Sequence, residues 1–395
     1  MRAPATAMHT LETFPIHRLL FPESGLGFAQ AHATEEVLGA LESAIAGQRT
    51  LLPVSEENEA VLRASQRAGH DIDPSVAFVV ATSGSTGTPK GAMLSPANVI
   101  SSADATHQYL GGEGQWLLAM PPNHIAGLQV LIRSMVAGFT PAVLNVAHGF
   151  QVHAFAEAAG NLEGRRYTSL TPLQLLKAMD SLEGIDALRS FDAILVGGAP
   201  LLADDQRAAS ELGITLISTY GSSETSGGCV YNGKPIPGAK VRLRGERILL
   251  GGPMVAAGYR NMPDHEAFAE PGWFASSDTG VVEDGVLRIT GRIDTIIDSG
   301  GLKIHPEVLE HRLANVPGVR AVCVVGIPDR RLGQAIVCAF EGEASPEDLI
   351  EALDDLPRWQ LPKRMLKLDA LPLIGVGKVD RQAIAALFNT DKTRQ

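Results

Sequence analysis

The chain has 395 residues, with 33 Lys+Arg against 44 Asp+Glu, a formal charge of −11, 45% hydrophobic content and 19% charged content. That length calls for two or three domains with a sizeable interior, and the composition excludes a largely disordered chain. The acidic balance with no basic run argues against a nucleic-acid partner. Cys229, Cys323 and Cys338 are not spaced as a metal or redox set, which fits a reducing cytoplasm. The start, MRAPATAMHTLETFPIHRLL, lacks the continuous apolar core of a signal peptide, and no run approaches about 18 uninterrupted apolar residues, so neither secretion nor integral membrane association is expected.

In chain order, apolar β-branched runs at Val76 to Ala81, Ala193 to Val196 and Thr215 to Thr219 predict buried strands. Helical patterns at Gln129 to Val136, Leu173 to Met179 and Ala203 to Leu212 lie between them. This alternation predicts an α/β fold, a large layered domain with mostly parallel sheets whose ligands sit beyond the carboxyl ends of strands. After Arg292 the pattern changes. Pro306 opens a helix over Glu307 to Leu313, strands are expected at Ala321 to Gly326 and Ala335 to Phe340, and Ser345-Pro346 caps another helix. About a hundred residues remain there, enough for a small α+β domain.

The first strand runs into Thr82-Ser83-Gly84-Ser85-Thr86-Gly87-Thr88-Pro89-Lys90-Gly91, with five hydroxyls, three glycines and one lysine in ten residues. Glycines let backbone N–H groups approach an anion, hydroxyls donate further hydrogen bonds, and the lysine adds a mobile charge, so the loop can wrap an oligophosphate. A linker of this composition would not normally follow a buried strand directly. A Walker A loop needs Gly-Lys followed by Ser or Thr, whereas Lys90 stands between Pro89 and Gly91.

The loop resembles the signature of the adenylate-forming superfamily of acyl-CoA synthetases, carrier-loading adenylation domains and luciferases. Four further segments match in the family's order: Tyr220-Gly221-Ser222-Ser223-Glu224, Ser277-Asp278-Thr279-Gly280, Gly291-Arg292-Ile293-Asp294 and Gly377-Lys378-Val379-Asp380-Arg381. The portion before the loop is shorter than in the larger members. The resemblance implies an N-terminal ATP- and acyl-binding domain over residues 1–293 and a mobile C-terminal domain over 294–395, with Asp294 as the hinge.

Judged singly, Tyr220 reads as a packed strand-end tyrosine, Asp278 as a turn aspartate and Lys378 as a solvated lysine. The resemblance gives them roles. Thr82, Ser83, Gly84, Ser85, Thr86, Gly87 and Lys90 take the phosphates, while Gly198 and Ala199 line adenine, against which Tyr220 packs beside Gly221. Ser223 contacts the α-phosphate, with serine where the family usually has threonine, and Glu224 with Thr86 holds Mg²⁺. A carboxylate at a phosphate site makes physical sense only with a cation between the two anions. Asp278 accepts from the ribose hydroxyls near Arg292. Lys378 lies between the α-phosphate and the attacking carboxylate, and Gly300, Gly301 and Lys303 meet coenzyme A.

For the acid, Pro121 to Gln129 resembles the loop and helix that open the acyl pocket, with His124 as a gating residue. The bland alternative is a helix-start histidine satisfied by backbone. With the segment Thr219 to Gly233 and the short length, this is similar to the o-succinylbenzoate-CoA ligases of menaquinone biosynthesis in their compact actinobacterial form. That substrate's second carboxylate calls for donors away from the phosphate, and Thr171, Ser222, Ser226 and Gly227 are the expected polar end. Arg133 is a candidate counter-charge, but its amphipathic stretch leaves it as apt to face solvent. The expected co-substrates are ATP and CoA, with Mg²⁺, and a homodimer is left open. Two rivals stand beside this reading: an aryl-acid, amino-acid or other carboxylic-acid adenylating enzyme that loads a separate carrier protein, and a catalytically silent nucleotide-binding homologue.

Overall fold

The computed structural model describes residues 8–21, 28–82, 89–374 and 378–390. The chain divides into two compact units, Met1–Arg242 with Leu249–Ser276, and Leu243–Ile248 with Ser277–Gln395.

The first unit holds two sheets. The strands β1 (His9–Phe14), β2 (Thr50–Pro53), β3 (Asp71–Ile72), β4 (Phe78–Thr82) and β5 (Lys90–Leu94) form one, in the order β3-β1-β2-β4-β5. Its centre is parallel, β1 with β2 and β2 with β4, and its edges are antiparallel. Phe78, Val79 and Val80 are fully buried, as a central strand covered on both faces requires. The strand begins at Phe78 and not at Val76, because Asp73 accepts the Ser75 N–H at 2.8 Å and turns the chain just before it.

The other sheet comprises β6 (Gln115–Leu118), β7 (Ala142–Val143), β8 (Arg166–Leu170), β9 (Ala193–Val196), β10 (Leu216–Ser222), β11 (Gly227–Tyr231) and β12 (Lys234–Pro235), ordered β12-β11-β10-β9-β8-β6-β7. From β7 to β10 every pairing is parallel, and β11 and β12 extend it antiparallel. Helices Ile125–Val136, Val152–Gly160, Pro172–Met179, Leu182–Arg189 and Ala203–Glu211 connect these strands. Phe155, Leu175, Leu188 and Ile194 form part of a core between sheet and helices. Thr171 begins Pro172–Met179 with a reciprocal cap, its oxygen accepting from Gln174 N. Parallel strands point their carboxyl ends the same way, so the chain after β9 and β10 emerges at one edge, where α/β sheets collect ligands.

In the second unit, residues 278–283 of the strand Trp273–Glu283 pair antiparallel with Val286–Arg292. Asp284-Gly285 closes that hairpin with positive φ at both residues, 51° and 76°. A further sheet runs Leu302–Ile304, Ile297–Ser299, Gly333–Gly342, Val319–Asp329, with Arg364–Lys367 parallel to Gly333–Gly342. The long hairpin Val319–Asp329 with Gly333–Gly342 outruns the apolar segments expected at 321–326 and 335–340, because ladder pairing continues past the buried residues. Helices Pro306–Ala314 and Pro346–Glu351 cover one face over Leu309, Leu313 and Leu349, and Arg381–Thr390 packs Ile384 and Phe388 against a second cluster.

Candidate active site

The hairpin of β4 and β5 positions Lys90, the lysine of the expected phosphate loop. Thr82 and Lys90 are direct partners at its open end, so the intervening loop starts and finishes side by side. Ser83, Gly84, Ser85, Thr86 and Gly87 lie outside the described residues. Lys90 Nζ is 3.1 Å from His265 Nε2 and 5.3 Å from the centre of the Tyr259 ring. The Tyr259 hydroxyl donates to Glu224 Oε1, and burial followed by the Glu224 charge pushes its pKa far up, keeping it a donor. Glu224 is 6% exposed, within the short turn Ser223–Thr225 that follows β10. That turn is pinned by the Ser222 N–H donating to Thr225 Oγ1 at 2.9 Å and the Ala256 N–H donating to Glu224 O at 2.8 Å.

One strand over, Gly197-Gly198-Ala199 leaves the end of β9 as Tyr220-Gly221 nears the end of β10, and Thr219 Oγ1 donates to Val196 O at 3.2 Å between them. Gly198 has φ +86°, where a side chain would be strained. A Cβ on Gly221 would come within 2.2 Å of Gly227 O, so β10 and β11 approach too closely for any other residue. The Tyr220 hydroxyl donates to Ser276 Oγ at 3.3 Å.

Among the residues expected at the acyl pocket, His124 is the extended residue that precedes the helix Ile125–Val136. Gly227 faces that helix, with Gln129 Cγ and Ile125 Cγ1 at 3.5 and 3.9 Å from where its Cβ would stand. Ser226 is fully buried and donates to Met254 O at 2.9 Å, so its hydroxyl holds scaffold, as the Thr171 oxygen does in its cap. Ser222 borders the same turn.

Arg133 corrects the expectation that it could equally face solvent. It is 3% exposed, 5.0 Å over the Trp116 ring, and its Nη2 donates to the Tyr231 hydroxyl at 3.4 Å. Tyr231 in turn meets Thr106 Oγ1 at 2.9 Å. Among the described residues no carboxylate pairs with this guanidinium, and its Nε is buried without a partner. Beside it, His107 Nε2 accepts from Trp116 Nε1, and burial, then Arg133, pull the imidazole down to about 4, so it stays neutral. The amphipathic pattern misled because the helix packs on both sides: Val130, Leu131, Ile132 and Ser134 are buried as well.

In the second unit Asp278 and Arg292 face each other across the hairpin, with Arg292 Nη1 2.7 Å from Asp278 Oδ1. Arg292 also takes Asp294 in a fork, Nε to Oδ1 at 2.8 Å and Nη2 to Oδ2 at 2.7 Å. Gly300 and Gly301 make the turn between Ile297–Ser299 and Leu302–Ile304, with φ +66° and +82°, and Lys303 pairs across it with Asp298. Lys378 lies exposed on Lys378–Val379, paired with Leu373–Ile374, while Gly375, Val376 and Gly377 fall outside the described residues. Three residues on, Arg381 anchors this segment by donating to Val324 O at 2.8 Å and Glu310 Oε2 at 2.7 Å.

The structure thus gathers Lys90 and Glu224 through Tyr259 in one unit, and Asp278, Arg292 and Asp294 in the other. Tyr259 and His265 carried no expected role, and Arg133 only that of a candidate counter-charge. The available signals were an aromatic framed by Gly258 and Arg260, and a charged residue within a helix of large apolar neighbours.

A glycine-hydroxyl loop between paired strands, a buried carboxylate that shares a tyrosine with its lysine, and strand-end glycines together point to a nucleotide-binding α/β enzyme. The AMP-binding enzyme family matches residues 22–259 and the AMP-binding enzyme C-terminal domain matches residues 308–378, and the chain belongs to this family. It is 45% identical over 368 residues to a probable 2-succinylbenzoate-CoA ligase of Mycobacterium tuberculosis (strain H37Rv), covering 90% of this chain and 96% of that protein. It is 31% identical to the 2-succinylbenzoate-CoA ligase of Escherichia coli K12, covering 77% and 67%. Among solved structures, o-succinylbenzoate CoA synthetase (MenE) from Bacillus subtilis in complex with the acyl-adenylate intermediate OSB-AMP is 25% identical, with TM-score 0.71 over 89% of this chain and 80% of that one. ATP-bound MatB from Rhodopseudomonas palustris, at 20% identity, shares the fold with TM-score 0.80 over 98% and 90%. The expected α/β class, a large unit with parallel strands followed by a small α+β unit, is the class of these enzymes.

Proposed function

We propose that the chain is an AMP-forming acid-thiol ligase that converts o-succinylbenzoate to its CoA thioester, in menaquinone biosynthesis. The observation that carries this reading is the 45% identity to a probable 2-succinylbenzoate-CoA ligase across nearly the whole of both chains. The buried Arg133 supports the choice of acid: a guanidinium with no carboxylate partner among the described residues suits a substrate with a second carboxylate. A long-chain acyl pocket would have no use for it.

In the first half-reaction the substrate carboxylate oxygen attacks the α-phosphorus of ATP, the bond to the bridging oxygen breaks, and pyrophosphate leaves. The phosphate loop and Lys90 hold the phosphates, Gly198, Ala199 and Tyr220 the adenine, and Asp278 with Arg292 the ribose. Lys378 steadies charge at the α-phosphate. In the second, the CoA sulfur attacks the acyl carbon and AMP departs. Gly300, Gly301 and Lys303 attend CoA, with Asp294 as hinge and His124 at the acyl gate.

Mg²⁺ fits the donors present. It binds through one or two carboxylates plus substrate phosphates, and Glu224 offers one hard, oriented carboxylate. Glu224, with Thr86, would hold it, and the ion would neutralise phosphate charge. No described helix is long and apolar enough to cross a membrane, and we place the enzyme in the cytoplasm with its small-molecule substrates.

The test is ATP–pyrophosphate exchange with o-succinylbenzoate, simple benzoates, fatty acids and amino acids. Exchange is expected with o-succinylbenzoate, followed by AMP release when CoA is added. Strong exchange with a benzoate or an amino acid and none with o-succinylbenzoate would overturn the substrate assignment.

A further inference from the structure

We propose that Tyr259 is a positioning residue that couples the metal-binding carboxylate to the phosphate-loop lysine, its hydroxyl orienting Glu224 and its ring seating Lys90. The inference rests on the reading of Glu224 as the Mg²⁺ ligand.

Tyr259 is 3% exposed, and its ring is held on two sides, edge to His265 at 5.0 Å and edge to Phe268 at 5.1 Å. Its backbone is stitched to β5, the strand that begins with Lys90. Ala257 N–H donates to Met93 O at 3.0 Å, Arg260 N–H donates to Gly91 O at 2.8 Å, and Tyr259 itself bridges Ala92. On the other side the same segment reaches the Glu224 turn twice, through the Ala256 N–H to Glu224 O and through the phenol to Glu224 Oε1. One segment, bonded to both, therefore contacts both charged groups. A carboxylate with one oxygen bonded by a fixed donor presents its other oxygen in a defined direction, and the loss of such an outer partner commonly costs about 10- to 100-fold in metal affinity or activity. The ring under Lys90 Nζ adds a cation–π seat that steadies the ammonium.

The experiment reads metal binding apart from turnover. Mn²⁺ is titrated by electron paramagnetic resonance into the full-length protein with a non-hydrolysable ATP analogue, for wild type, Tyr259→Phe and Glu224→Gln. Tyr259→Phe keeps the ring between His265 and Phe268 and removes only the hydroxyl. Its half-saturating Mn²⁺ concentration is expected to rise about tenfold or more, while binding of a metal-free acyl-adenylate analogue stays unchanged. If Glu224→Gln weakens Mn²⁺ binding and Tyr259→Phe does not, the positioning role is overturned and the metal reading stands. If Glu224→Gln leaves Mn²⁺ binding unchanged, the metal reading falls and takes this inference with it.

Discussion

At the residue scale, Arg133 is the side chain whose environment differs most from what its neighbours in sequence suggest. Burying a guanidinium costs several kcal/mol unless charge or hydrogen bonds offset it, and here a phenol and an indole ring share that task. A substrate carboxylate would complete it. Replacing Arg133 with Leu is therefore expected to raise KM for o-succinylbenzoate on the order of 10- to 100-fold, the worth of a charge-assisted hydrogen bond, with KM for ATP unchanged. Arg133→Lys should recover part of the loss, since the ammonium keeps the charge but not the fork. Steady-state kinetics on the three proteins decide it, and an equal rise for ATP would remove Arg133 from the acyl side. The one-dimensional pattern shows only a charged residue among large apolar neighbours, which does not say which way it points. Its burial follows from Trp116 and Tyr231, 17 positions before and 98 positions after it by the numbering, which meet it only across the sheet.

At the scale of elements, the site is built where strands end. β4 and β5 hold Thr82 against Lys90, β9 and β10 end side by side, and β10 with β11 pinch together at Gly221. Gly221→Ala would drive a methyl into the Gly227 carbonyl. The expected results are a loss of about 1–3 kcal/mol in stability, read by denaturant unfolding, and a fall in pyrophosphate exchange greater than the stability loss explains, because the Ser223–Glu224 turn must shift. The strands and helices around these ends were readable from β-branched runs and helical periodicity, to within a few residues. Where the bounds moved, hydrogen bonding decided: Asp73 delayed β4, and the ladder carried Val319–Asp329 beyond its apolar centre.

For the whole molecule, the proposed mechanism has the adenylation and thioester steps call on different residues, with Lys378 serving only the first. Lys378→Ala is expected to lower pyrophosphate exchange on the order of 10²-fold or more, while thioester formation from supplied acyl-adenylate and CoA persists. Equal loss in both half-reactions would contradict that division. The sequence alone determined the glycine- and hydroxyl-rich segment read as a phosphate loop, the order of the segments that resemble the family and the α/β class, since these depend on local composition, backbone freedom at glycine and short-range periodicity. Only the tertiary structure decided that Arg133 is buried, that Arg292 bridges Asp278 and Asp294, and that Tyr259 joins Glu224 to the strand of Lys90. These are contacts between residues that sheet pairing and packing bring together, and they arise when the chain closes on itself.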